Sequence, residues 1–192
     1  MPIPQPEDEF GGLKAAARQF ESSWQEAESL MGDLTYEQVN WRRAGGQWSI
    51  GQCLLHLAQG TNQVLPAIDR AITDARARGL LSPGPFRYGW FARWMTRSME
   101  PPPKRRMRTS KIFVPPATPV PGDYVLRTFT DSRYRIIDRV RAAEGVDLKR
   151  AIVVSPVSRL IRMPLGAYFA FLAAHDRRHF WQAWRIKQAI VH

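Results

Sequence analysis

Four stretches of this chain repeat apolar residues at steps of three and four, a spacing that commits most of it to amphipathic helices that must pack together to bury their stripes. In the first, Phe10, Leu13, Ala17, Phe20, Trp24, Ala27 and Met31 form one stripe. Glu7, Asp8 and Glu9 precede it, where negative charge complements a helix dipole. The second opens at Trp48-Ser49-Ile50-Gly51-Gln52-Cys53, in which Ser49 and Gln52 have capping-box spacing and Trp48 and Cys53 can form a hydrophobic staple. It continues through Leu54, Leu55, His56, Leu57, Val64, Ile68 and Ile72 toward Arg78, with Gly79 as its stop and Pro66 as the place for a kink. The third begins at Gly122-Asp123, carries Leu126, Phe129, Ile136, Ile137 and Val140, and ends near Gly145. Residues 146 to 163 lead to the last, which starts at about Pro164 and turns Leu165, Phe169, Leu172, Ala183, Ile186 and Ile190 inward.

Residues 79 to 122 break the pattern with nine prolines, and only Phe86 to Met99, with Trp90, Phe91 and Trp94, has the makings of a short helix. The aromatics argue against simple disorder, so this long connection should pack over one end or side of the helices, as a lid would. Four long helices with one large Pro/Arg-rich crossover predict an all-α four-helix bundle, a single domain over residues 1–192 with no internal repeat. A chain of 192 residues buries a substantial core without disulfides or a structural metal, so any bound metal is expected to serve function.

Composition narrows the partners. No run approaches a membrane-spanning length, and the segment Met1 to Glu9 lacks the basic and apolar regions of a secretory leader. The single cysteine, Cys53, excludes an internal disulfide framework and suits a reducing compartment. A soluble cytoplasmic protein with no membrane partner is expected. The net charge of +11, mostly arginine, could attract nucleic acid, an acidic surface or an anionic small molecule. Its densest part, Lys104 to Lys111, has no amphipathic pattern, and the other arginines are spread as solvated helix faces are. Arg105, Arg106 and Arg108 could bind an anionic cosubstrate or simply be solvated. With no recognised DNA- or RNA-binding motif, nucleic acid is the weaker expectation for a partner.

The chemistry rests on histidines. His175 and His179, four residues apart, share one face of the last helix, and stepping from Leu165 through Phe169 and Leu172 arrives at both, so their rings should point inward. Buried imidazoles need hydrogen-bond partners or a shared cation, and two on one helix turn are a common way to offer nitrogens to a transition metal. His56 lies among Leu54, Leu55, Leu57 and Ala58, so it should also be buried. It is either a satisfied core residue or the third nitrogen of a site with open positions, which would suit zinc or nickel better than magnesium or calcium. His192, the last residue, is not a candidate.

Trp48-Ser49 eight residues before His56, a proline-rich middle, and His175-x-x-x-His179-x-x-Gln182 on the last helix together resemble the DinB-like (YfiT-like) superfamily of metal-binding four-helix bundles. The resemblance spans roughly residues 10 to 190 and implies a divalent metal, zinc or nickel, held by His56, His175 and His179. It further implies a thiol-dependent transferase or a hydrolase acting on a small molecule, with a low-molecular-weight thiol as cosubstrate and a metal-activated water or thiol as nucleophile. The insertion is longer and richer in arginine and proline than in compact members. Gln182 and Asp176 could orient His179 and His175, although Asp176 reads more readily as a solvent-facing partner of a neighbouring arginine. Cys53, one turn before His56, could reach the same region or be a small core residue. Trp90 and Trp94 could cover the mouth of a site, with packing over the bundle as the plainer reading. A polyanion binder using the basic insertion and a non-catalytic metal-binding bundle remain as other functions, and a homodimer as an association state.

Overall fold

The computed structural model describes residues 8–43, 46–103 and 109–191. Glu7, the basic run Lys104 to Arg108 and His192, all weighed above, lie outside them. The described residues are mainly helical: α1 is Gly12–Met31, α2 Tyr36–Asn40, α3 Ile50–Ala77, α4 Trp90–Met99, α5 Gly122–Ala142 and α6 Leu165–Val191. A 3-10 turn covers Lys111–Phe113, and β1 (Ile152–Val154) pairs antiparallel with β2 (Arg162–Pro164), Val153 opposite Met163. The fold is all-α apart from this small hairpin.

The boundaries follow local chemistry. At the start of α3 the Ser49 hydroxyl accepts from the Gln52 backbone and the Gln52 side chain accepts from the Ser49 backbone, the capping box anticipated from sequence. The same device at Thr35 and Gln38 starts α2, which the apolar periodicity missed because the helix is only five residues long. Gly79, at φ 64°, turns the chain out of α3, and Pro66 lies inside that helix without ending it. The first helix begins later than expected: Gly11 and Gly12, at φ 74° and 63°, form a turn, and Phe10 precedes the helix and stacks on Tyr88. Asp8 and Glu9 accordingly do not sit in its first turn. They accept the backbone N–H groups of Phe86 and Tyr88, which ties them to the crossover and keeps residues 86 to 89 out of the expected short helix.

α3 packs against α5 and α6, and α1 packs against the same two, so α1 and α3 take opposite corners. Their apolar faces form two clusters. One holds Phe20, Ile68, Ile136 and Phe169, and the other holds Leu30, Leu54, Phe129 and Phe180. Reading the clusters along each helix gives the directions: α1 and α6 run from the first cluster to the second, and α3 and α5 run from the second to the first. Because α3 and α5 are parallel neighbours, the connection between them must travel the length of the bundle, which is why the crossover is long. On its way α4 packs on α6, and residues 112 to 116 lie along the N-terminal half of α3. No described helix is long and apolar enough to cross a membrane.

Between the two apolar clusters lies a layer of buried polar side chains, drawn from all four long helices: Ser23, His56, Thr61, Ser132, Arg133, Asp176 and His179. Polar groups so placed must satisfy one another, because water cannot.

Candidate metal centre

Three histidines converge in this layer. His56 comes from the second turn of α3, positioned by the Ser49 cap, and His175 and His179 come from successive turns of α6. One ring nitrogen from each lies within 4.8 Å of the other two. The ring centroids are 5.1 Å apart for His56 and His175, and 4.6 Å for each pair that includes His179. His56 and His179 are buried and His175 is half-buried.

The crossover sets the tautomer of His56. Its Nδ1 lies 2.7 Å from the Phe113 carbonyl, which can only accept, so Nδ1 carries the proton and Nε2 is left with a lone pair. That Nε2 faces His175 Nε2 at 3.2 Å. The buried Nδ1 of His179 has no hydrogen-bond partner within the protein. Trp48 lies over His56 and His179, with centroids 4.7 and 5.7 Å away, and Phe171 stacks on His175 at 6.3 Å.

This environment keeps the imidazoles neutral. Burial, reinforced by His56, Arg178 and Arg133, pulls His175 down to about 3. Burial and the neighbouring His175, His56 and Arg178 hold His179 well below its ordinary value, with the Gln182 side chain opposing. Burial also lowers His56, and its bond to Phe113 opposes. Three neutral imidazoles, one with a buried nitrogen that has no protein partner and with no carboxylate among them, fit a transition-metal cation and do not fit calcium or magnesium.

Of the other candidates, Gln182 adjoins the group and the rest take different places. Asp176, read from sequence as more readily solvent-facing, is 2% exposed and paired with Arg133 of α5. The helix rotation that turns His175 and His179 inward also carries Asp176 into the interior, and its carboxylate serves the arginine in place of a histidine. Burial, the larger influence, raises the Asp176 carboxyl, and Arg133 beside it opposes the rise. Gln182 lies beside His179. Cys53 packs in the second apolar cluster outside the converging group, its thiol pushed up to about 12 by burial. Trp90 and Trp94 neither pack over the bundle nor face the histidines: they are 73% and 57% exposed on the outer face of α4. Clefts of about 600 and 170 Å³ flank α6, the larger lined by Trp181, Trp184 and Arg185, and neither includes a triad histidine.

Sequence reasoning missed Arg133, Phe113 and Trp48 as parts of the site. Arg133 left a signal, since it falls between Phe129 and Ile136 on the buried stripe of α5. Phe113 contributes a backbone carbonyl, which has no signature in side-chain chemistry.

No curated protein and no solved structure matches the chain. The family model of the DinB superfamily matches residues 19–183, a span that contains α3, α5, the crossover and all three converging histidines. With four long helices, a capped α3 carrying one histidine and an α6 carrying two, the chain belongs to the DinB superfamily.

Proposed function

We propose that the protein is a metal-dependent enzyme acting on a small molecule, by thiol-dependent transfer or by hydrolysis, with His56, His175 and His179 as the ligands of one divalent metal. The observation that carries this reading is the convergence of three neutral imidazoles within 4.8 Å, in a polar layer where one buried nitrogen has no protein partner. Zinc and nickel suit a set of three nitrogens. A set of three, with Cys53 outside it, also favours an open catalytic site over a closed structural one, which normally takes four protein ligands.

When bound, such an ion supplies Lewis acidity, lowering the pKa of a coordinated water or thiol. The chain's own contribution is geometric and electrostatic. Phe113 holds the His56 proton on Nδ1 and so presents Nε2 toward the site. Trp48 and Phe171 wall the histidines, of which His175 alone is half-buried. Gln182 fixes the surroundings of His179.

Metal analysis of protein purified without a histidine tag tests the reading. One equivalent of zinc or nickel per chain is expected, together with thermal stabilisation by added metal that His175→Ala abolishes. No metal in the wild type and no effect of His175→Ala would remove the proposal.

A further inference from the structure

Arg133 is 1% exposed in the middle of α5, and its guanidinium donates across the bundle. Nη1 reaches Asp176 Oδ2 on α6, while Nη2 reaches Thr61 Oγ1 and, at 3.3 Å, the Leu57 carbonyl on α3. The guanidinium carbon lies 4.6 Å from the Phe129 ring centroid and 5.7 Å from that of Phe20 on α1. Ser23 of α1, whose hydroxyl donates to the Phe20 carbonyl, lies beside the Asp176 carboxylate. All four long helices therefore meet at one side chain.

Two of the residues it anchors adjoin the histidines: Leu57 follows His56, and Asp176 follows His175 and precedes His179 by three. Successive residues project about 100° apart around a helix axis. Fixing the Leu57 carbonyl and the Asp176 carboxylate therefore sets the rotation of α3 and α6, and with it the direction of His56 on one helix and of His175 and His179 on the other. A planar guanidinium, with donors in a rigid fork, suits such a register in a way that a flexible ammonium does not. Net stability does not account for the pair, because a buried arginine and aspartate gain little over apolar residues of the same volume.

We propose that Arg133, acting through Asp176, Thr61 and the Leu57 carbonyl, is a positioning residue that sets α3 against α6 so that His56 meets His175 and His179 around the metal. The proposal rests on the metal-binding reading above. A purely structural role would change thermal stability and leave the metal site unaltered.

The test uses cobalt(II) as the probe. Wild type is compared with the double variant Arg133→Met, Asp176→Leu, which keeps volume and leaves no orphaned charge. Affinity is measured by chelator competition, the site by its visible ligand-field spectrum, and metal-free stability by thermal melting. The expected result is one equivalent bound by the wild type. The double variant should melt near the wild type without metal, yet bind about 10- to 100-fold more weakly with an altered spectrum. Thr61→Val, which removes one acceptor and leaves Asp176 paired, should lose affinity in the same direction by a smaller factor, and it decides the matter if the double variant does not fold. If the wild type binds cobalt and the folded variants match it in affinity and spectrum, the positioning role is overturned and the metal site stands. If the wild type binds no cobalt, the metal reading falls and this proposal falls with it.

Discussion

In metal-free protein, lowering the pH from 7.5 to 5.0 should destabilise the fold through the buried histidines. His175 is held down to about 3, mainly by burial, so it stays neutral in the fold at pH 5, and burial shifts His179 in the same direction. In the unfolded chain the same groups titrate near 6.5. Below that value the unfolded state takes up protons that the folded state refuses, so the contribution is complete above about 6.5 and is lost as pH drops from there toward the folded pKa. At pH 5 each histidine that remains neutral costs about 2 kcal/mol relative to pH 7.5. His175 alone therefore costs about 2 kcal/mol, with His179 adding to the loss in the same direction, against the roughly 5–15 kcal/mol that stabilises an ordinary domain. Urea unfolding at the two pH values, in a chelator, measures the loss. His175→Gln, which keeps a polar side chain and removes the titration, should shrink the pH-dependent loss by about 2 kcal/mol. Carboxylates titrate alike in both proteins and cancel in the comparison. An equal loss in wild type, His175→Gln and His179→Gln would refute the reasoning.

Three further outcomes are expected. Ser49→Ala removes the cap that starts α3 and should cost about 1 kcal/mol in urea unfolding, with metal stoichiometry unchanged. Cys53, fully buried with its thiol pushed up to about 12, should react with a disulfide reagent only when the protein unfolds, and Cys53→Ala should bind metal as the wild type does; rapid labelling of native protein or a weakened site would show that the thiol reaches the histidines. Trp48→Ala uncovers His56 and His179 and should speed their modification by diethyl pyrocarbonate in metal-free protein, whereas unchanged rates would show that Trp48 does not shield them.

Much of this was legible in the sequence because helical periodicity carries direction. Steps of three and four through Leu165, Phe169 and Leu172 pointed His175 and His179 inward, and the Ser49 and Gln52 spacing placed the cap of α3 at Ser49, where it falls. The first helix began late because two left-handed glycines, not the acidic residues beside them, set its start. The β1–β2 hairpin left no trace, since three-residue strands are too short to show alternation. Asp176 was misjudged for a different reason: a charged residue reads as solvated unless its partner is known, and Arg133 lies 43 positions away on another helix. The place of Arg133 between Phe129 and Ile136 on the buried stripe of α5 was visible. Its pairing with Asp176 is a property of the packed bundle alone.

X-ray absorption spectroscopy of protein loaded with one equivalent of zinc addresses the central claim most directly. Three imidazole ligands with Zn–N distances of about 2.0–2.1 Å and no sulfur are expected, reduced to two imidazoles in His56→Ala. A sulfur ligand, or a shell without imidazole scattering, would contradict it.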